Sequence, residues 1–231
     1  MIFLYIFLSS LCVCHIIEYM VKPEKLQNIS VSYKASHLAV TLLNCIIQAI
    51  LMDYFITTLE MQFTLNNCFN GMIAFVFQDV YFYTLHRFMH NKYVYKYFHK
   101  THHFIKTPNF WSCYYEHPLD HIVVWVMPYI IITKLLKINY WVYWGYVLFS
   151  TILSIEGHSG NDLKFKYWYI GFFTKKASKL HVYVYNHATH HDLHHIKTNC
   201  NYGLWTTFMD RIFNTLSGNY DEYINEKIKT N

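Results

Sequence analysis

GMIAFVFQDVYFYTLHRFMH, residues 71–90, is the stretch on which the fold turns. Residues 71–88 are apolar and long enough to cross a bilayer as a helix. They run straight into His86 and His90, spaced i, i+4, which a helix places on one face one turn apart. The stretch therefore predicts a membrane helix that delivers imidazoles to a membrane surface. Asp79, seven residues before His86, shares that face and is expected to accept a hydrogen bond from an imidazole.

The same spacing recurs. HKTHH at 99–103 sets His99, His102 and His103 at i, i+3, i+4, and HATHHDLHH at 187–195 carries His187, His190, His191, His194 and His195. The last run contains H-x-x-H-H in two registers, His187/His190/His191 and His191/His194/His195, and spacing does not choose between them. His117, His121, His158 and His181 stand singly between the runs, and of 16 histidines only His15 and His37 lie outside 86–195. Imidazoles stacked a turn apart chelate iron, zinc, copper or nickel. The three runs and His158 are read as a metal site, whereas His117, His121 and His181 are read as ordinary side chains. One ion cannot use so many ligands, since a tetrahedral zinc takes four. Two metals are expected. Arg87 follows His86, so no H-E-x-x-H helix is present, and there is no G-x-S-x-G elbow.

Composition agrees with a membrane setting. Apolar residues make up 54% of the 231-residue chain and charged residues 14%, against roughly 25% charged in soluble domains. The net charge of +5 is spread as single Lys and Arg residues with no base-reading motif, so no nucleic-acid partner is expected. The six cysteines form no C-x-x-C pair. Cys12 and Cys14, within an apolar run, are expected to be buried free thiols.

Four or five hydrophobic helices are expected. Residues 1–21 read as a retained span, lacking the basic n-region and small-x-small site of a signal peptide. Residues 37–58 form a second span, with Asn44, Gln48 and Asp53 turned toward other helices. Residues 71–88 form a third. Residues 119–133 and 138–156 make a hairpin, with Pro128 kinking the first arm. The basic loops 22–36 and 87–118 are expected on the cytosolic side, 59–70 on the far side, and all histidine runs on the cytosolic face. Lys134 and Lys137 fall on the far side against the rule. The fold class read from the residues is an all-α membrane protein with a cytosolic histidine-rich cap holding a dinuclear metal site. Residues 1–70 are expected to form the N-terminal transmembrane part, ahead of a main domain.

With these residues in view, DVYFYTLHRFMH (79–90), YKYFHKTHH (95–103) and EHPLD (116–120) resemble the fatty acid hydroxylase/sterol desaturase superfamily. IEGHSGND (155–162), HHDLHH (190–195), NYG (201–203), DRIFNT (210–215) and YINEK (223–227) resemble its C4-methylsterol monooxygenase branch. The resemblance implies a non-haem di-iron oxygenase of the endoplasmic reticulum that hydroxylates a lipid or sterol C–H bond with O2. The motifs that carry it imply a main domain at 71–228. Electrons would come from NAD(P)H through cytochrome b5 or its reductase. It selects the second register of the last run and implies His86, His90, His99, His102, His103, His158, His191, His194 and His195 as metal ligands. Glu116, His117, His187 and His190 receive no role from it. A sterol C5-desaturase or a fatty-acyl hydroxylase would share fold and ligands. A metal-transport protein would instead carry its histidines along the spans, and a catalytically dead scaffold would lack one of the expected histidines.

The sequence departs from that pattern in three places. Extra residues around Phe172–Asn186, with Lys175, Lys176 and Lys179, are expected to form a lid or membrane-dipping segment. Asn214 stands where Gly is usual, and the C-terminal I-K-T-N lacks a dilysine signal.

Overall fold

The computed structural model describes residues 2–21, 34–160, 188–218 and 220–222. The expectations for His181, His187, Phe172–Asn186 with its lysines, and the C-terminal tetrapeptide lie outside the described residues.

Each apolar segment is a helix. They are α1 (Ile2–Val21), α2 (Ala35–Ile56) and α3 (Leu65–Met89). A hairpin follows, of α5 (Pro118–His121), a π-helical turn (Ile122–Val126), α6 (Met127–Leu136) and α7 (Tyr140–Gly157). Between α3 and the hairpin lie the short α4 (Lys92–Tyr95) and two 3-10 helices, His99–Phe104 and Phe110–Tyr114. After the hairpin come α8 (Ala188–Lys197) and α9 (Phe208–Ile212). No strand occurs among the described residues.

Local chemistry sets the helix ends. Asn67 Oδ1 accepts from the Thr64 N–H at 2.9 Å to start α3, and Asn139 Oδ1 accepts from Val142 N–H at 3.0 Å to start α7. The expected distortion at Pro128 is present in a specific form. The π turn lies immediately before it, where a proline ring crowds the preceding helical turn.

The bundle has an apolar exterior, and polar side chains are set among the aromatic and aliphatic residues of its interior. Leu43, Ile46, Ile50 and Tyr54 of α2 are exposed at i, i+3, i+7, i+11, while Thr41, Asn44 and Gln48 are fully buried. In α3, Phe69, Met72, Val76 and Val80 are exposed and Gln78 and Asp79 buried. A water-soluble bundle would turn polar side chains outward; lipid makes an apolar exterior favourable and a buried polar stripe the natural place for helix contacts. The protein fits an all-α membrane fold. By length and composition, Ala35–Ile56 and Pro118–Leu136 are long and apolar enough to cross a membrane. Cys14 is buried as expected, but Cys12 is exposed, because positions i and i+2 of a helix do not share a face.

The helices alternate in direction. Asn70 Nδ2 donates to Leu136 O at 2.8 Å and Asn139 Nδ2 to Gln62 O at 2.8 Å, which joins the α2–α3 and α6–α7 turns at one end. At the other end α3 finishes at His86 and His90, α7 finishes at His158, and the His37 ring of α2 packs 4.8 Å from Tyr115. The histidine runs thus share one end of the bundle.

Candidate metal centre

The histidines fall into two groups. His86, His90, His99, His103 and His194 each offer a nitrogen within 4.8 Å of the others, and His102, His158, His191 and His195 do the same. All are buried except the half-buried His90. Neither the second nor the third run stays together. His99 and His103 go to the first group and His102 to the second, while His194 goes to the first and His191 and His195 to the second. Adjacent residues of a helix point about 100–120° apart, so neighbouring His102 and His103 of the second run, like His194 and His195 of α8, enter different groups. Two runs thereby stitch the two groups into one centre.

Facing nitrogens are Nε2 atoms. His103 Nε2 lies 3.2 Å from His90 Nε2, 3.2 Å from His99 Nε2 and 3.1 Å from His194 Nε2. In the second group His191 Nε2 lies 2.8 Å from His158 Nε2 and 3.0 Å from His195 Nε2. Nδ1 atoms point outward to acceptors. His86 Nδ1 donates to Tyr202 O (2.9 Å), His158 to Ser154 O (2.9 Å), His194 to Cys200 O (2.7 Å) and His195 to Ile105 O (2.9 Å). His102 Nδ1 sits 3.3 Å from Tyr115 O, and His99 Nδ1 donates to Asp120 Oδ2 at 2.7 Å. A proton held on Nδ1 leaves the Nε2 lone pair free to bind a cation.

Burial also keeps these rings neutral. It pushes His90, His102, His103, His191, His194 and His195 far below the usual imidazole range, and neighbouring imidazoles add to the effect. Burial lowers His158 to about 4, against the opposing hydrogen bond to Ser154.

Acidic residues support the centre from outside. Asp79 does not meet an imidazole. Its carboxylate accepts from the N–H groups of Trp205 (2.9 Å) and Thr206 (3.2 Å) and from the Thr206 hydroxyl. The expectation failed because helical periodicity places a residue on a face without saying which distant loop reaches it first. Asp210 accepts from Tyr202 N–H (2.9 Å) and Gly203 N–H (2.7 Å), and so fixes the carbonyl that His86 uses. Burial alone would raise the Asp210 carboxyl, but His190, Thr215 and the Gly203 N–H outweigh it and hold it low. His190 lies in neither group and pairs with Asp210 at 3.2 Å. His117 caps α5, its Nδ1 accepting from Leu119 N–H at 3.2 Å.

Glycine and asparagine shape the loops. Gly160 has φ +62, and a Cβ there would collide with the Pro108 carbonyl oxygen, so the glycine after His158-Ser159 lets two loops touch. Asn214 has φ +53, a region that Gly favours and Asn tolerates.

Sequence reasoning missed Glu116 and His121. His121 Nδ1 and Glu116 Oε1 are 2.7 Å apart, at 0% and 2% side-chain exposure. Their i, i+5 spacing across Pro118 was the available signal, but it follows no helical period.

Residues 71–215 match the sequence model of a family described as Fatty acid hydroxylase. Methylsterol monooxygenase 1 of Rattus norvegicus is 34% identical over 154 residues, covering 66% of this chain and 47% of the relative. Methylsterol monooxygenase 1 of Danio rerio is 31% identical over 166 residues, covering 71% and 52%. Delta(7)-sterol 5(6)-desaturase of Gibberella zeae is 32% identical over 139 residues, covering 60% and 39%. The chain spans about half the length of the curated relatives it matches. No solved structure matches it.

Proposed function

The chain belongs to the fatty acid hydroxylase family, and from that premise we propose that it is a membrane-bound non-haem di-iron oxygenase acting on a lipid C–H bond. The substrate we assign first is a sterol carrying a 4-methyl group, on the likeness to methylsterol monooxygenases. In the reaction one oxygen atom of O2 enters R–OH and the other leaves as water, consuming two electrons and two protons. The electrons are assigned to NAD(P)H, passed on by a cytochrome b5-type carrier or its reductase.

The observation that carries this reading is the division of nine imidazoles into two groups with converging Nε2 atoms. Neutral imidazole lone pairs crowded at about hydrogen-bond distance repel one another unless a cation sits among them, and such a donor set suits iron. His86 Nε2, buried without a hydrogen-bond partner, fits the same role. His86, His90, His99, His103 and His194 would hold one iron, and His102, His158, His191 and His195 the other. Two irons bound there supply the oxidising power that couples O2 reduction to C–H cleavage. The chain's own part is to position and to exclude water. Backbone carbonyls and Asp120 fix the imidazole planes, while Phe82 and Tyr114 against Trp125 line the helix interior with aromatic surface.

We assign the centre to the cytosolic face of the endoplasmic reticulum. Exposed Lys34, Arg87, Lys92, Lys96, Lys100 and Lys106 lie in segments at the histidine end, against Lys134 and Lys137 at the other. A sterol desaturase is the second reading, favoured by the likeness to the Gibberella enzyme. The test is iron-loaded protein in lipid nanodiscs with O2, a reductant and a 4-methylsterol. A hydroxymethyl product is expected, and a new ring double bond selects the second reading. Fully iron-loaded protein that consumes no O2 with any sterol or acyl lipid refutes both.

A further inference from the structure

On the bilayer side of the centre lies a set of polar groups that metal binding does not use. His121 is fully buried, and its Nε2 has no hydrogen-bond partner while its Nδ1 is tied to Glu116. The Tyr114 ring packs edge-on to His121 at 5.0 Å, and its buried hydroxyl is turned to Thr151 on α7. Asn44 Nδ2 donates to Tyr114 O and Glu116 O, both at 2.9 Å, which turns that face of α2 toward this segment. Gln48 is one helical turn further along the same face, and both its amide atoms are buried without a partner.

An unsatisfied buried polar group costs about 1–3 kcal/mol, and several together in one region call for an occupant. The unpartnered atoms include acceptors (Gln48 Oε1, Asn44 Oδ1), an amide donor (Gln48 Nε2) and the His121 ring nitrogen Nε2. A hydroxyl group both donates and accepts, so it suits this mixture better than a carbonyl or an ion. The location is also suitable, since His121 follows Asp120, whose carboxylate holds His99 of the first histidine group.

Building on the reading as a lipid oxygenase, we propose that His121, oriented by Glu116, together with Gln48, binds a hydroxyl on the lipid substrate. That hydroxyl lies within a few bonds of the carbon to be oxidised, and these residues select for lipids that carry it. His121 is a specificity-determining residue in this scheme, and Glu116 is a positioning residue acting through it.

The test compares a 4-methylsterol bearing a 3-hydroxyl with its 3-deoxy analogue. Binding is measured on protein in nanodiscs, metal-free and iron-loaded, and product formation on the iron-loaded form. Wild type is expected to bind the hydroxysterol at least about tenfold more tightly, the worth of one buried hydrogen bond. His121→Phe should bring the two ligands within about twofold of each other while iron content per chain is unchanged. Gln48→Leu, which removes two unpartnered atoms without a charge change, should reduce the preference and leave the fold intact. Equal binding of both sterols by wild type overturns the proposal, as does a preference that survives in His121→Phe and Gln48→Leu. Wild type that oxidises both sterols alike sinks this inference alone; wild type that neither binds nor oxidises any lipid sinks the parent reading with it.

Discussion

Replacing Asp120 with alanine removes the acidic support of one imidazole and leaves the ligand itself in place. The His99 Nδ1–Asp120 Oδ2 distance is 2.7 Å, with side-chain exposures of 4% and 0%, so solvent does not screen the contact. A buried hydrogen bond to a charged group contributes about 1.5–3 kcal/mol. If that difference appears in metal binding, the affinity of the His99 group falls by roughly 10–100-fold, the range typical of lost outer partners of metal-bound histidine. Asp120→Asn keeps an oxygen that can accept from Nδ1 and should sit at the weaker end. The assay is a titration of metal-free protein with ferrous iron against a competing chelator, resolving two binding events. Only the event assigned to His86, His90, His99, His103 and His194 should weaken; that of His102, His158, His191 and His195 should hold. Unchanged binding at both, or equal loss at both, would show that the carboxylate does not act on His99 as reasoned here.

Other outcomes follow from the same geometry. His90, His102, His103, His158, His191, His194 and His195 have folded-state values held below their unfolded ones by burial, so they bind fewer protons when folded. The metal-free protein should therefore be most stable above about pH 6.5 and lose stability as pH falls toward about 4, the His158 value, measured as a falling thermal midpoint. A midpoint that rises on acidification would contradict that sign. Gly160→Ala should destabilise by at least about 1–2 kcal/mol from its positive φ alone, with the collision at Pro108 added, read by thermal unfolding in detergent. Asn214→Gly should be neutral or slightly stabilising and Asn214→Val destabilising by about 1–2 kcal/mol in the same assay.

Local patterns carried the helices well. The span read at 37–58 is Ala35–Ile56, and that at 71–88 is the C-terminal part of Leu65–Met89, because apolar length and turn-spaced histidines are properties of a single segment. Asn44 and Gln48 of α2 are buried where a lipid exterior would require them, and Asp53 is half-buried. What the sequence could not show was partnership across the chain. Asp79 reaches Trp205 and Thr206 over more than a hundred residues, and no helical period encodes that contact. His102 parts from His103, and His194 from His195, and turn spacing alone does not say which group each ring joins. Glu116 and His121 were passed over because burial, which makes their pairing informative, is a tertiary fact.

Most of the outward hydrogen bonds from the histidines end on main-chain oxygens, at Ile105, Tyr115, Ser154, Cys200 and Tyr202. A carbonyl is the same atom whatever side chain its residue bears. Point substitutions at Ile105, Tyr115, Ser154 and Cys200 can therefore drift as far as these hydrogen bonds are concerned, provided the new residue keeps the backbone path, whereas the Tyr202 ring also packs against His86, His90 and His194. A single inserted or deleted residue beside any of the five carbonyls would shift the oxygen out of reach. The centre is tolerant of spelling changes and intolerant of changes in length, so redesign of its surroundings should keep loop lengths fixed and vary the letters.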